Sequence, residues 1–398
     1  MKQFSRLCCA ILCSCLLFTA CQEPDNPVTP VNPPVTAAYI IGKAQYYTDG
    51  YSDLTNYNFV YPSTDPYGHP VMLSGTITMG PEVTKTVKAR GIVLYNRYTI
   101  YKTDDCPSMG KLDMQQQFKG SGLIIVAADL YGFGSTANRQ QAYCMARANA
   151  QASLDALIAA RQLLAQEGYR FGDALFNVGF SQGAQTAIGV LRLATEQHPD
   201  IRFTRTMAGA GPYDLAETYR QLIVQDAQGA SSNAISVLLA YNEYAGLGYP
   251  YASLFNEPVR SHVADWLLSK RYKREEIDEL IGKETKLSEC LAPALLDLES
   301  DVAKRFIAAF DADNLCKGWT PRCDEDILLF HSKADMTVPV ENTDGLYRFL
   351  KDQGMEQVEL MEGQWGVFFG AEAHTVSSLT FIAEAKKWLC AYFGIPEW

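Results

Sequence analysis

The sequence predicts an α/β fold, a mostly parallel sheet with helices on both faces and a helical cap inserted into it, and three observations carry that expectation. Uninterrupted apolar runs such as 91–95, 123–128 and 327–331 are of the type that forms strands buried on both faces. Between them lie segments whose apolar residues recur at helical spacing, and strands that alternate with helices in this way argue for a parallel sheet. The stretch from Pro212 to about Pro321 breaks the alternation, being rich in Tyr and helical in pattern throughout.

Taken in order, residues 1–20 read as a signal peptide. Lys2 and Arg6 precede the apolar run Leu7 to Phe18, which is shorter than the roughly 20 residues a bilayer crossing requires, and small residues stand before Cys21. The tetrad Phe18-Thr19-Ala20-Cys21 resembles the lipobox of bacterial lipoproteins, which implies lipidation of Cys21 after cleavage. Residues 21–38 then read as a tether, because Pro24, Pro27, Pro30, Pro33 and Pro34 among polar residues favour extended chain with a reach on the order of 50 Å. Glu23 and Asp25 just behind the cysteine resemble surface-export signals. The expected location is the outer membrane or cell surface, with a periplasmic or secreted form as the alternative.

The sheet body is expected over 39–211 and 322–398, with the cap at 212–321. Residues 56–63 and 70–80 pattern as strands joined by the turn Asp65-Pro66-Tyr67-Gly68. Strands follow at 91–95, 123–128, 174–178, 203–211, 327–331 and 358–361. Helices are expected at 154–165, after residue 183, and at 377–393, where apolar positions share one face. In the cap, Tyr241, Tyr244, Tyr249, Tyr251, Leu254 and Phe255 are candidates either for a pocket wall or for the cap's own core. The charged stretch Lys270 to Glu276 reads as a solvated helix face.

Net charge is −11 without a basic stripe, so nucleic acid is a poor partner. Of eleven cysteines, five lie in the leader or at Cys21, leaving six that an oxidising compartment could pair; Cys316 with Cys323 and Cys106 with Cys144 are the expected pairs. No CxxC spacing and no HExxH helix is present, which speaks against a metal enzyme, and no cofactor is expected. A GxGxxA run at Gly132 to Ala137, with Asp155 about 20 residues on, mimics a dinucleotide fingerprint but is accounted for below by other chemistry.

The chemistry centres on Gly179-Phe180-Ser181-Gln182-Gly183, a GxSxG set between a buried strand and a helix. That setting forces the serine into a strained turn that lifts its hydroxyl clear of the sheet. A serine hydroxyl needs a base, and the base needs an orienting acid. Of five histidines, His374 follows the last strand in a loop before the final helix, at the end of the sheet where it could meet Ser181. His331 lies within a strand and reads as buried structure. Asp335, directly after another strand, is the acid that could hold the far nitrogen of the imidazole.

The order Ser181, Asp335, His374, the GxSxG set, the HSKADMTVP stretch and Asp129-Leu130-Tyr131-Gly132-Phe133-Gly134 together resemble the α/β-hydrolase superfamily, and within it the secretory lipase group. The resemblance spans about Asn56 to Phe393 and implies acyl transfer to Ser181, followed by hydrolysis by a water that His374 activates. It implies an oxyanion hole made by the Gln182 N–H and a donor from Asn96, Arg97 or Tyr98, where many relatives carry His-Gly instead. The expected function is a serine hydrolase of carboxylic esters acting on a small-molecule substrate, touching a membrane only through its lipid anchor. Two alternatives stay open: a serine peptidase of the same fold, and a surface binding lipoprotein without turnover. Acyl length and the alcohol portion are set by how the cap folds over the site.

Overall fold

The computed structural model describes residues 37–44, 54–110, 115–229 and 231–397. The leader, Cys21 and nearly all of the proline-rich tether lie outside them. The chain forms β1 (Tyr39–Ala44), β2 (Thr55–Thr64), β3 (Pro70–Met79), β4 (Ala89–Asn96) and β5 (Leu123–Ala128), then α1 (Ala146–Gln166), β6 (Phe171–Phe180), α2 (Gln182–Gln197) and β7 (Arg205–Gly209). Helices alone follow among the described residues: α3 (Leu215–Val224), α4 (Ser231–Tyr244), α5 (Tyr251–Leu254), α6 (Val259–Val263), α7 (Arg274–Ile281), α8 (Leu287–Cys290), α9 (Pro293–Leu296) and α10 (Asp301–Ala312). The sheet resumes with β8 (Ile327–Ser332), α11 (Glu341–Asp352), β9 (Val358–Gly363) and α12 (Ala373–Phe393).

The strands form one sheet in the order β1-β2-β3-β5-β4-β6-β7-β8-β9. From β5 across to β9 the neighbours are parallel, while β1, β2, β3 and β5 pair antiparallel. The uninterrupted apolar runs are explained by two-sided burial. In β4, Ile92 and Leu94 enter the core shared with α1 and α2, while Val93 and Tyr95 enter a second core against α12. In β8 the same division sends Ile327 and Leu329 to one face and Leu328 and Phe330 to the other. Period-two alternation is therefore present in the strands, but both faces demand apolar side chains, so hydropathy does not show it. The edge strand β1 was not foreseen; Tyr39 and Ile41 on it are 49% and 60% exposed, so little burial marks it in the sequence.

The chain leaves β4 for β5 and then crosses back to β6, so the direction of winding reverses beside β4. In open parallel sheets a crevice forms outside the carboxyl ends of the strands at such a reversal. The cap helices pack around their own cluster, in which Tyr241, Leu254, Phe255, Phe306 and Phe310 are buried, and Tyr101 and Tyr143 reach into that cluster from the sheet side. The pocket-wall alternative for the cap aromatics therefore fails: Tyr241 is spent on the cap core and on a 3.0 Å hydrogen bond to Asp313. No described helix is long and apolar enough to cross a membrane.

Cys106, Cys144, Cys316 and Cys323 are free thiols, so the expected pairs Cys106–Cys144 and Cys316–Cys323 are not formed. Cys106 packs with Ile100 and Phe133, whereas Cys144 belongs to the cap cluster, and Cys323 is exposed while Cys316 is half-buried. Burial pushes the thiols of Cys106 and Cys144 up to about 12, which marks them as packing groups. An even count of cysteines speaks only to composition; bridging requires Cβ vectors that meet.

Candidate active site

Ser181 stands between the end of β6 and the start of α2 with φ 58° and ψ −127°, a left-handed backbone that side chains other than glycine rarely adopt. Such strain costs on the order of 1–3 kcal/mol and persists only where its surroundings hold it. Here the Ser181 N–H donates to the Gly209 carbonyl at 2.7 Å, and the Ser181 carbonyl accepts from Ala184 and Gln185. The flanking glycines are required by close approach. A Cβ on Gly179 would lie 2.1 Å from the Gly183 carbonyl oxygen, and one on Gly183 would lie 2.1 Å from that of Asn96. Alanine normally strengthens a helix relative to glycine, yet Gly183→Ala is expected to lower the unfolding free energy by about 1–3 kcal/mol through overpacking. A chemical-denaturation midpoint at or above that of the wild type would contradict this close approach.

Asp335 lies just past β8 with its side chain fully buried. One carboxylate oxygen accepts from the N–H groups of Thr337 and Val338, each at 2.9 Å. The other lies 2.5 Å from His374 Nδ1 and 3.5 Å from His331 Nε2. Burial acts to raise this carboxyl, but the charges and hydrogen bonds of His374 and His331 prevail and hold it well below the usual carboxylate range. His331 is itself fixed by Thr343 Oγ1 at 2.6 Å and the Val338 carbonyl at 2.9 Å. The expectation that His331 is buried structure holds, with an addition: the i, i+4 spacing to Asp335 makes it a neighbour of the acid.

His374 was expected in a loop but occupies the first turn of α12, because Val367–Glu372 already coils as a short 3-10 helix that leads into it through a kink at Gly370. Its ring lies 5.1 Å from that of Phe180, and its Nε2 is 2.8 Å from Ser181 Oγ. The ionised Asp335 can only accept, so Nδ1 carries the proton and Nε2 presents a lone pair to the serine hydroxyl. Ser181, His374 and Asp335 thus form one hydrogen-bonded line, drawn from three strand ends far apart in sequence.

The Gln182 N–H opens α2 and has no intrahelical acceptor, so it is available beside Ser181 at the positive end of the helix. The Gln182 side chain accepts from the Cys144 N–H at 3.1 Å. The other three expected oxyanion residues divide. Asn96 is buried beneath the sheet end, donating to Asn177 Oδ1 at 2.7 Å and accepting from Ser153 at 2.6 Å. Arg97 is buried too, with Nε and Nη2 donating to the Asp129 carbonyl at 2.9 and 2.8 Å. Neither lines the cavity at Ser181, whereas Tyr98 does.

That cavity, of about 410 Å³, is walled by Tyr98, Ile100, Tyr101, Phe180, Thr337, His374 and Leu379 on the sheet side. From the cap, Asn233, Lys273, Arg274 and Glu275 face it. The solvated-face reading of 270–276 therefore needs correction: three of these residues meet the cavity and Lys270 is only 6 % exposed. Hydropathy misses such positions because an insertion packs back over the sheet through its loop ends as well as its apolar faces. The Gly132–Ala137 run packs on β3, where a Cβ on Gly134 would meet Ser74 Oγ and Asp129 Oδ2; Asp155 is held by Ser63 and Gln151. Among the described residues no cluster of His, Cys, Asp and Glu could hold a metal ion.

The chain is similar in fold to several solved structures. These include the rice cell wall degrading esterase LipA from Xanthomonas oryzae, with a TM-score of 0.73 and 19% identity over 84% of this chain and 90% of that one. A Legionella pneumophila chain matches with a TM-score of 0.74 and 18% identity over 85% of this chain and 89% of that one. Lipase A of Candida antarctica follows with a TM-score of 0.59 and 14% identity over 84% and 81%. No curated protein sequence matches the chain. The secretory lipase family matches residues 114–394, which hold the GxSxG turn, Asp335 and His374, and the chain belongs to that family.

Proposed function

We propose that the chain hydrolyses carboxylic esters through an acyl-enzyme on Ser181. The observation that carries this reading is the hydrogen-bonded line from Asp335 through His374 to Ser181 at the foot of a cavity, beside the N-terminus of α2. In that arrangement His374 Nε2 takes the Ser181 proton as Oγ attacks the ester carbonyl carbon. The carbonyl oxygen becomes an oxyanion held by the Gln182 N–H and a second donor. Collapse breaks the bond to the alcohol oxygen, which leaves with the proton from His374. A water molecule then gives its proton to His374 and attacks the acyl carbon, and the carboxylic acid departs as Ser181 recovers its proton. Each oxyanion donor of this kind supports the rate by about 10²- to 10³-fold.

The test is a panel of short acyl esters run beside aminoacyl amides, with fluorophosphonate labelling of the same preparation. Ester turnover with an adduct on Ser181 is the expected outcome. Turnover confined to amides would replace the reading with a peptidase, and binding without turnover or adduct would replace it with a binding protein. Export of the chain as a lipoprotein anchored at Cys21 is part of this proposal; release of a Cys21→Ala variant from the membrane fraction is expected.

The chain segment that leads to His374 favours apolar substrates. Phe368 is 97% exposed and Phe369 57%, a few residues before His374, and Leu379 on the cavity wall is 68% exposed. Large exposed apolar side chains in the segment that carries a site residue mark a surface that meets apolar material. Replacing Phe368 and Phe369 together by serine is expected to lower hydrolysis of an emulsified acylglycerol several-fold more than that of a soluble short-chain ester. An equal effect on both would show that the aromatics do not meet the substrate phase.

A further inference from the structure

We propose that the second oxyanion donor is the backbone N–H of Thr99, and that Arg97 and the cap residue Lys270 are positioning residues that set it. The proposal rests on the hydrolase reading above and deepens it. Its starting point is the Arg97 guanidinium. Besides gripping the Asp129 carbonyl with two of its nitrogens, it donates through Nη1 to the Tyr98 carbonyl at 3.1 Å. The carbonyl and N–H of a trans peptide point in opposite directions. The Tyr98–Thr99 peptide has its carbonyl drawn inward to the buried guanidinium, so its Thr99 N–H turns the other way, toward the cavity that both residues line with Ser181. That N–H has no hydrogen-bond acceptor among the described residues. The Thr99 hydroxyl is anchored on Tyr143 at 3.0 Å, which leaves the backbone rather than the side chain to serve the site.

Lys270 holds the same loop from above. Its ammonium donates to the carbonyls of Gly132 and Ala137, at 2.6 and 2.7 Å, and to that of Arg139. Its own carbonyl accepts from the Thr103 N–H at 3.0 Å, in the loop that continues from Thr99. The fully buried ring of Phe133 lies between the two anchoring systems in sequence and in space, 4.7 Å from the Arg97 guanidinium and 5.5 Å from the Lys270 ammonium. Phe133 packs with Ile100 and Cys106, and Tyr98 rests on the group.

Two costs meet at Lys270. Its backbone is left-handed at φ 56°, and among the described residues its buried charge has carbonyl dipoles as partners and no carboxylate; burial lowers its ammonium to about 8. A buried cation without a counter-ion and a strained backbone at one residue persist where the surroundings hold them for a purpose. Here they clamp the 132–139 loop, and through Phe133 the 97–103 loop, so that the donor is in place only when the cap is seated.

The test compares Lys270→Met and Lys270→Arg with the wild type on a soluble short-chain ester, with kcat expressed per fluorophosphonate-titrated site and thermal melting recorded. Misplacing a donor by about 1 Å can cost on the order of 10²-fold. Lys270→Met is expected to lose about 10- to 100-fold in kcat per titrated site with KM changed by less than about twofold, and Lys270→Arg to recover most of it. A role limited to stability would lower the melting temperature and the titrated fraction and leave kcat per site unchanged, and that result would overturn the proposal. Should Lys270→Met not fold, Arg97→Lys supplies the same decision. A lysine carries all of its donors on one nitrogen and lacks the planar fork that reaches the Asp129 and Tyr98 carbonyls from three nitrogens, so a kcat loss of about 10-fold is expected and an unchanged kcat overturns the proposal. A wild type that neither labels nor turns over ester removes the hydrolase reading and this proposal with it. A labelled and fully active Lys270→Met variant removes this proposal alone.

Discussion

Ser181→Ala is expected to lower ester turnover by about 10⁶-fold, the scale on which a serine triad fails when its nucleophile is removed. The reason is that the proposed chemistry passes through a covalent bond to Oγ, and no other hydroxyl lies within hydrogen-bonding reach of His374 Nε2 among the contacts of the described residues. Fluorophosphonate labelling should vanish with it. The fold should not change, because alanine meets the same left-handed backbone at φ 58° that serine does. Ser181→Gly removes that strain and is expected to raise stability by about 1 kcal/mol while being equally inactive. A rise in thermal melting for Gly but not for Ala would show that the strain is held for the sake of placing the hydroxyl. Retained turnover in either variant would remove Ser181 from the mechanism.

Asp335→Asn is expected to cost about 10⁴-fold in kcat, since an amide at this position can donate to Nδ1 and so fix the imidazole in the wrong tautomer. The same substitution has a signature in stability. Asp335 is held below its ordinary range in the folded protein, against the raising effect of burial, by His374 and His331. Between the depressed folded value and the ordinary unfolded value of about 3.9, the unfolded chain binds more protons, so stability rises with pH across that interval. The contribution is complete above about pH 5 and is lost as acid titrates the folded carboxyl. Chemical denaturation from pH 6 down to pH 3 should therefore show a steeper fall for the wild type than for Asp335→Asn. Parallel slopes would contradict the pairing.

Much of the frame was legible because burial on two faces leaves runs such as 123–128 without a polar residue, and β5 spans those same residues. The parallel strands and the final helix followed from such runs and from helical spacing. The edge strand β1 was not legible, since an exposed strand carries no such mark. The start of α12 was misplaced because apolar spacing marks a helix only from 377, while the chain already coils over Val367–Glu372, kinks at Gly370 and is helical again before His374. Ser181, Asp335 and His374 could be picked out because each follows a strand, and in a parallel sheet those ends converge. The contributions of Lys270, Thr99 and the Asp335–His331 contact could not. They depend on how a peptide plane is turned and on which carbonyls a buried ammonium finds.

The GxSxG turn shows the division most plainly. Its letters required a strand, a tight turn and a helix, and local sterics alone account for Gly179 and Gly183, so that much was determined by sequence. Whether its hydroxyl meets a base, and which loop faces it across the cavity, was decided only by the packing of strands and cap, which brings together residues as far as 193 apart in order. Here Arg97 turns away from the cavity and Lys270 turns into the protein, the reverse of what their charges suggest when read singly. A charged side chain is placed by the sum of carbonyls and rings around it, and that sum exists only in the folded chain.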